Sequence, residues 1–261
     1  MGRGFFSAES LLKLLKRKAR LSRSFVEAPV FFFHFHKVAG TSVVSAAERG
    51  GHRVAYRDRN GNVFDCRTGH DLLYSGRKRE DIKNILKYEF ERGATFIAAE
   101  WDFPPIDVIR EIPSVSIITV LRDPTARALS NYRYEAIYGR PTTNTNSFTD
   151  YWDRNQLFRS DNYYTRMLNN LSCEDVIEPN HVASAIFQLQ QLDAVAILEK
   201  NNLSTVFGKF GIGEVGRENV SAPTEDLKKM AFMTDVERDQ FYLNNFADYC
   251  VYEYFKRVAI V

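Results

Sequence analysis

Val30-Phe31-Phe32-Phe33-His34-Phe35-His36-Lys37-Val38-Ala39-Gly40-Thr41-Ser42-Val43-Val44 is the stretch that decides the fold. The run Val30 to Phe35 follows Pro29, is rich in aromatics and is too short for a helix, so it reads as a buried strand ending at His36. Lys37 to Ser42 then makes a turn, and Val43 to Arg49 continues as a helix. A loop between a strand end and a helix start presents free backbone N–H groups, which with the helix dipole favour an anion. Gly40 lets the backbone curl around an oxygen, Thr41 and Ser42 add hydroxyl donors, and Lys37 adds a compact charge. A Walker A loop reads GxxxxGK[ST], with its lysine after the glycines; here Lys37 precedes Gly40 and no glycine stands just upstream. An ordinary ATP loop, and with it a kinase-like phosphotransferase, is therefore disfavoured.

Outward from this unit, strands and helices alternate. Asn60-Gly61 between two short runs signals a hairpin within 52–65. Lys78 to Arg92 has helical spacing, Ala94 to Ala99 is a second apolar strand, Pro104 to Glu111 a short helix, and Val115 to Leu121 a third strand. Asp123 suits an N-cap and Pro124 the first helical position, so a helix runs towards Tyr138. Further helices are expected over Phe148 to Phe158, Asn162 to Asn169 and His181 to Gln191, with a strand at Ala194 to Leu198. One C-terminal helix opens on the capping box of Thr234 and Glu237. Such alternation predicts an α/β fold: a three-layer sandwich around a central parallel sheet, carrying a P-loop-like anion loop.

The 261 residues, 44% hydrophobic and 26% charged, fit one ordinary globular domain over 30–261 behind a basic N-terminal segment, 1–29. That segment holds seven Lys/Arg against Glu9 and Glu27, a net of +5, so a chain of overall +2 leaves −3 for the rest. A body at −3 argues against a nucleic-acid partner, which needs a basic groove. Leucines and basic residues interleave over 11–20 as in a short amphipathic helix for an anionic membrane surface, although a solvated or docked helix is the plainer reading. No apolar run approaches a membrane span, no secretory signal is evident, and the three cysteines lack metal or disulfide spacing. The expectation is a cytoplasmic protein with no transmembrane segment and no metal.

Val120-Leu121-Arg122-Asp123-Pro124-Thr125-Ala126-Arg127-Ala128-Leu129-Ser130-Asn131-Tyr132 is the second informative stretch. Arg122 at a strand end can fork onto a phosphate, and Ser130 lies two turns into the following helix on a stripe with Ala126, Arg133 and Ile137. Together, HxxKxxGTS after the first strand and LRDPxxRxxSxY after the third resemble the phosphosulfate loop and the 3′-phosphate segment of sulfotransferases that use 3′-phosphoadenosine 5′-phosphosulfate. Asn162 to Leu168 and Ala196 to Glu199 look like later blocks of the carbohydrate-type members. Where many members carry Pro before the loop lysine, this chain has His36. The resemblance implies sulfonate transfer to a hydroxyl, less readily an amine, of a glycan or small-molecule acceptor. It places Lys37, Ala39, Gly40, Thr41 and Ser42 on the 5′-phosphosulfate, Arg122 and Ser130 on the 3′-phosphate, and Arg217, with Asn219, in a loop closing over the nucleotide.

The reaction also needs a group to take the acceptor's proton. Glu100, ending the second strand beside Trp101, is the first candidate, with a pKa raised by desolvation; His70 is the runner-up. His36 either donates to the nucleotide or serves the backbone, and His34 reads as a core histidine with a hydrogen-bond partner. Asp102 either orients an acceptor or caps the helix after Pro104. Tyr132, Tyr163 and Trp101 are stacking candidates in a chain whose aromatics mostly belong to the core. The other reading is a non-catalytic nucleotide- or glycan-binding module on the same fold.

Overall fold

The computed structural model describes residues 28–55, 64, 70, 72–137, 148–152, 157–216 and 233–258. The basic segment over 1–27, the expected hairpin turn at Asn60-Gly61, and Arg217 and Asn219 lie outside them.

Four short strands form one parallel sheet in the order β2-β1-β3-β4: β1 is Val30–Phe33, β2 Phe96–Ala99, β3 Ser116–Leu121 and β4 Ala194–Ile197. Val30 pairs with both Phe96 and Ser116, and Ile118 with Ala194. Every residue of β1, β2 and β4 is buried, so both faces of the sheet are covered, which is why these strands read as unbroken apolar runs. Beyond the strands, His34 N–H donates to the Ala99 carbonyl (2.9 Å), and buried Thr119 donates its hydroxyl to the Phe33 carbonyl (2.7 Å). Val54 adds a parallel bridge beside Phe96.

The connecting helices are α1 (Gly40–Gly50), α2 (Arg79–Glu91), α3 (Ile106–Arg110), α4 (Pro124–Ile137), α5 (Phe148–Trp152), α6 (Tyr163–Asn169), α7 (Pro179–Gln190), α8 (Leu203–Gly208), α9 (Asp235–Asn244) and α10 (Phe246–Arg257). Asp123 caps α4 through the Ala126 N–H (2.8 Å), and Thr234 and Glu237 form the expected capping box on α9. One helix expectation needs correction. The C-terminal helix is two helices, because Asn245 leaves helical geometry (φ −110°, ψ 21°). Its buried side chain donates to the Phe241 carbonyl (2.9 Å) and accepts the Asn162 N–H (2.9 Å), exchanging helix continuity for a tertiary tie. Of the stretch Phe148 to Phe158, the described residues are the short α5 and the start of a 3₁₀ turn at Leu157–Arg159, and 153–156 lie outside the described residues.

The order of the sheet fixes where ligands gather. From β1 the chain crosses to β2 on one side, whereas β3 leads to β4 on the other, so adjacent strands β1 and β3 send their connections in opposite directions. In open parallel sheets, the crevice at the carboxyl ends of two such strands is the usual binding place.

Candidate functional site

The loop after β1 and the end of β3 meet at that crevice. Lys37 (φ 66°) and Ala39 (φ 71°) are both left-handed, so the chain between them curls, and α1 starts without a side-chain cap. Successive amides in such a curl form a concavity for an anion. Gly40 is required for a steric reason that the sequence did not show. A Cβ there would fall 1.6 Å from His34 Nε2, and the His34 ring is itself buried and stacked on Phe32 (5.4 Å, 11°). Thr41 is exposed and Ser42 buried.

Lys37 points back across the loop, its ammonium 3.8 Å from the centre of the Tyr134 ring on α4. Burial, opposed by the Glu100 charge and assisted by Arg122, lowers its pKa to about 8. Arg122 donates from Nη1 to the Lys37 carbonyl (3.1 Å), so the two motifs touch. Around it, the Tyr164 hydroxyl donates to the Arg122 carbonyl (2.8 Å), and Glu199, held by the Tyr252 hydroxyl (3.0 Å), lies 3.9 Å from Arg122 Nε. Arg122 Nε is buried and makes no hydrogen bond among the described residues. A buried donor in that state is what an incoming phosphate oxygen would satisfy.

Behind the loop lies a chain of polar groups. Glu100, 5% exposed, accepts from His36 Nδ1 (2.7 Å) and has His34 Nε2 at 3.6 Å. Burial pushes its carboxyl up, but His34, the bond and charge of His36, and Lys37 together pull it below its ordinary value. The raised pKa expected beside Trp101 is thus overturned: three cationic or donor groups from the β1 end outweigh desolvation. The indole packs against Phe158 (4.8 Å). His36 Nε2 faces Asn131 Oδ1 (2.8 Å), and its backbone N–H donates to the Tyr163 hydroxyl (2.9 Å). Farther along α4, buried Glu135 pairs with buried Arg159, whose Nε donates to Oε1 (3.2 Å).

The structure therefore brings together Lys37, the Ala39–Ser42 turn, Glu100 and Arg122. Ser130 is partly buried on α4, one turn before Tyr134. His70 is an exposed residue whose neighbours 65–69 and 71 lie outside the described residues. Asp102 does not cap the helix after Pro104; it accepts the N–H groups of Tyr74 and Ser75 and the Ser75 hydroxyl (2.8 Å), pinning that turn. Tyr132 and Tyr163 are core residues, 1% and 0% exposed. Sequence reading missed Tyr134, Asn131 and Glu199. The ridge Arg127, Asn131, Glu135, spaced at i, i+4 and i+8, was the available signal for Asn131, and the sequence reading followed instead the neighbouring stripe of Ala126, Ser130, Arg133 and Ile137.

Among described residues no cluster of His, Cys, Asp and Glu could hold a metal, and no helix is long and apolar enough to cross a membrane. No family model and no curated protein matches the chain. Among solved structures, it is similar to the crystal structure of a sulfotransferase from Alicyclobacillus acidocaldarius, at 14% identity and a TM-score of 0.45, covering 86% of this chain and 96% of that one.

Proposed function

We propose that the chain is a sulfotransferase that moves sulfonate from 3′-phosphoadenosine 5′-phosphosulfate to a hydroxyl of a glycan or small molecule. The observation that supports it is the contact between Arg122 and the Lys37 carbonyl at the sheet's switch point. It joins two motifs 85 positions apart at one anion-receptive crevice, and Arg122 Nε there lacks a hydrogen bond. Lys37 and the amides of Ala39 to Ser42 would hold the 5′-phosphosulfate, and Arg122 with Ser130 the 3′-phosphate; Arg217 would close over the nucleotide. When bound, the donor supplies an activated sulfonate. The ammonium and amides neutralise charge that grows on the leaving phosphate, and they do so without reorganising because the αL turn already fixes them. The lowered Glu100 carboxyl is a weak proton acceptor, which removes the reason for choosing it as base and favours one second reading, a nucleotide-binding module without turnover.

The test is incubation with the donor and an acceptor panel, together with calorimetry using 3′,5′-adenosine bisphosphate. The expected results are binding by the native chain, a loss of turnover of about 10² or more in Lys37→Ala, and roughly 10- to 100-fold weaker binding in Arg122→Ala. Because a neutral amine no longer attracts phosphate, affinity should fall as pH rises through about 8, and Lys37→Arg should remove that fall. Binding without turnover selects the module, and absence of binding sinks both readings.

A further inference from the structure

The proposed reaction leaves unused the buried polar chain behind the loop, and its middle member is the informative one. Asn131 is fully buried, and its amide orientation follows from its surroundings. Its Nδ2 lies 3.3 Å from Glu135 Oε1, 3.3 Å from the Phe158 carbonyl and 2.6 Å from the Tyr151 hydroxyl. Two of those three accept only, so turning the amide over would set its oxygen against a carboxylate and a carbonyl. Oδ1 must therefore face His36 Nε2, and a lone pair on that nitrogen would point at another lone pair. The other ring nitrogen, Nδ1, is 2.7 Å from a Glu100 oxygen, the length of a charge-assisted bond. Both nitrogens thus meet acceptors.

We propose that His36 is a doubly donating imidazolium, clamped between Glu100 and Asn131, and that it is a positioning residue for the loop rather than a proton carrier. The ring has no free nitrogen for a substrate, and Glu100 is its counter-ion instead of the base. Of the charged and titratable groups around it, Glu100, just after β2, and Glu135, on α4 behind Asn131, favour the charged ring, and the Tyr163 hydroxyl of α6 takes the His36 N–H; Lys37 and Arg127 are cations that oppose it, and His34 is a second imidazole beside Glu100. The Phe158 ring packs against it (4.4 Å, 33° between planes), and the Tyr134 ring stands nearly perpendicular to it (6.3 Å, 84°). The clamp ties the residue before Lys37 to the end of β2 and to α4 at once, so the ammonium is aimed by a histidine where many members of the resembling family carry proline, whose ring cannot donate. The positioning role rests on the sulfotransferase reading; the doubly donating state does not.

The experiment is a proton–nitrogen correlation spectrum of the full chain labelled with ¹⁵N-histidine at pH 7.5, with His36→Gln giving the assignment. Two ring N–H groups are expected for His36, and a ring with one unprotonated nitrogen overturns the proposal. Glu100→Gln should then remove one of the two ring protons and weaken 3′,5′-adenosine bisphosphate binding by roughly 10-fold. An unchanged His36 spectrum, or undiminished binding with turnover alone lost, overturns it in favour of Glu100 as base. If the native chain shows both ring protons and binds no nucleotide, the clamp stands and the sulfotransferase reading falls.

Discussion

Two clusters of the same residue types stand in this molecule under opposite conditions. On the surface, Arg79 of α2 makes a two-pronged pair with Asp107 of α3 (2.8 and 3.1 Å), and Lys83 reaches Glu111; the Arg79 and Asp107 side chains are 57% and 67% exposed. At the carboxyl edge, Arg159 and Glu135 pair at 2% and 9% exposure, with Asn131 and His36 continuing the chain inward. The drawn contacts look alike. In the first cluster water competes for every charge, so the pairs steer and solubilise; in the second, water is gone and each charge depends on its partner. Burial, not the number of ion pairs, decides which carboxylates matter.

The largest expected effect breaks the buried side of that contrast. Glu135→Gln removes a buried counter-charge of the Arg159 guanidinium and should cost about 3–5 kcal/mol in a urea titration. The double replacement Glu135→Leu with Arg159→Met removes both charges and should recover most of the loss. A double variant as unstable as the single one would mean that the pair acts through shape and not charge.

Asp248 gives a pH-resolved version of the contrast. Burial pushes this α10 carboxyl up to about 6 although it accepts the N–H groups of Tyr164 and Thr165 (both 2.9 Å) and the Thr165 hydroxyl. A folded value above the unfolded one means that the native state binds the extra proton. Its stabilising effect is complete below the unfolded value, near 4, and is lost as pH rises to about 6, by roughly 3 kcal/mol. Glu100 runs the other way, since its lowered carboxyl supports the fold above the ordinary carboxylate range and loses that support as pH falls. The readout is therefore a difference: subtracting the Asp248→Asn stability curve from the native one should isolate a decline between pH 4 and 6. A flat difference removes Asp248 from the buried class. The smallest effect belongs to the surface, where Arg79→Ala should shift the melting midpoint by no more than the scatter of replicate melts, in low or high salt. A clear shift would show that exposure misjudged that cluster.

Much of the scaffold was legible in the sequence because buried parallel strands advertise themselves. Val30 to Phe33, Phe96 to Ala99 and Ala194 to Ile197 are unbroken apolar runs, and a strand covered on both faces needs them. The turn between β1 and α1 was legible for a comparable reason, since a Gly-Thr-Ser cluster between an apolar run and a helical pattern is a local signal of a turn. What stayed hidden was set by distant partners. Nothing near Glu100 announces that His36, 64 positions earlier, will hold its oxygen, and Asn245 looks compatible with a helix until Asn162, 83 positions away, claims it. The polar ridge Arg127, Asn131, Glu135 reads as solvent-facing on helical spacing alone; only the docking of Phe158, Tyr151 and His36 turns it inward.

The crowding of Gly40 by the His34 imidazole carries a lesson for how this crevice can change over generations. Substitutions at these two positions are not interchangeable in order: a side chain can grow at 40 only after the one at 34 has shrunk or swung aside, so one sequence of steps is passable and its reverse is blocked. The mouth of the loop is thereby guarded by a historical ratchet as well as by chemistry.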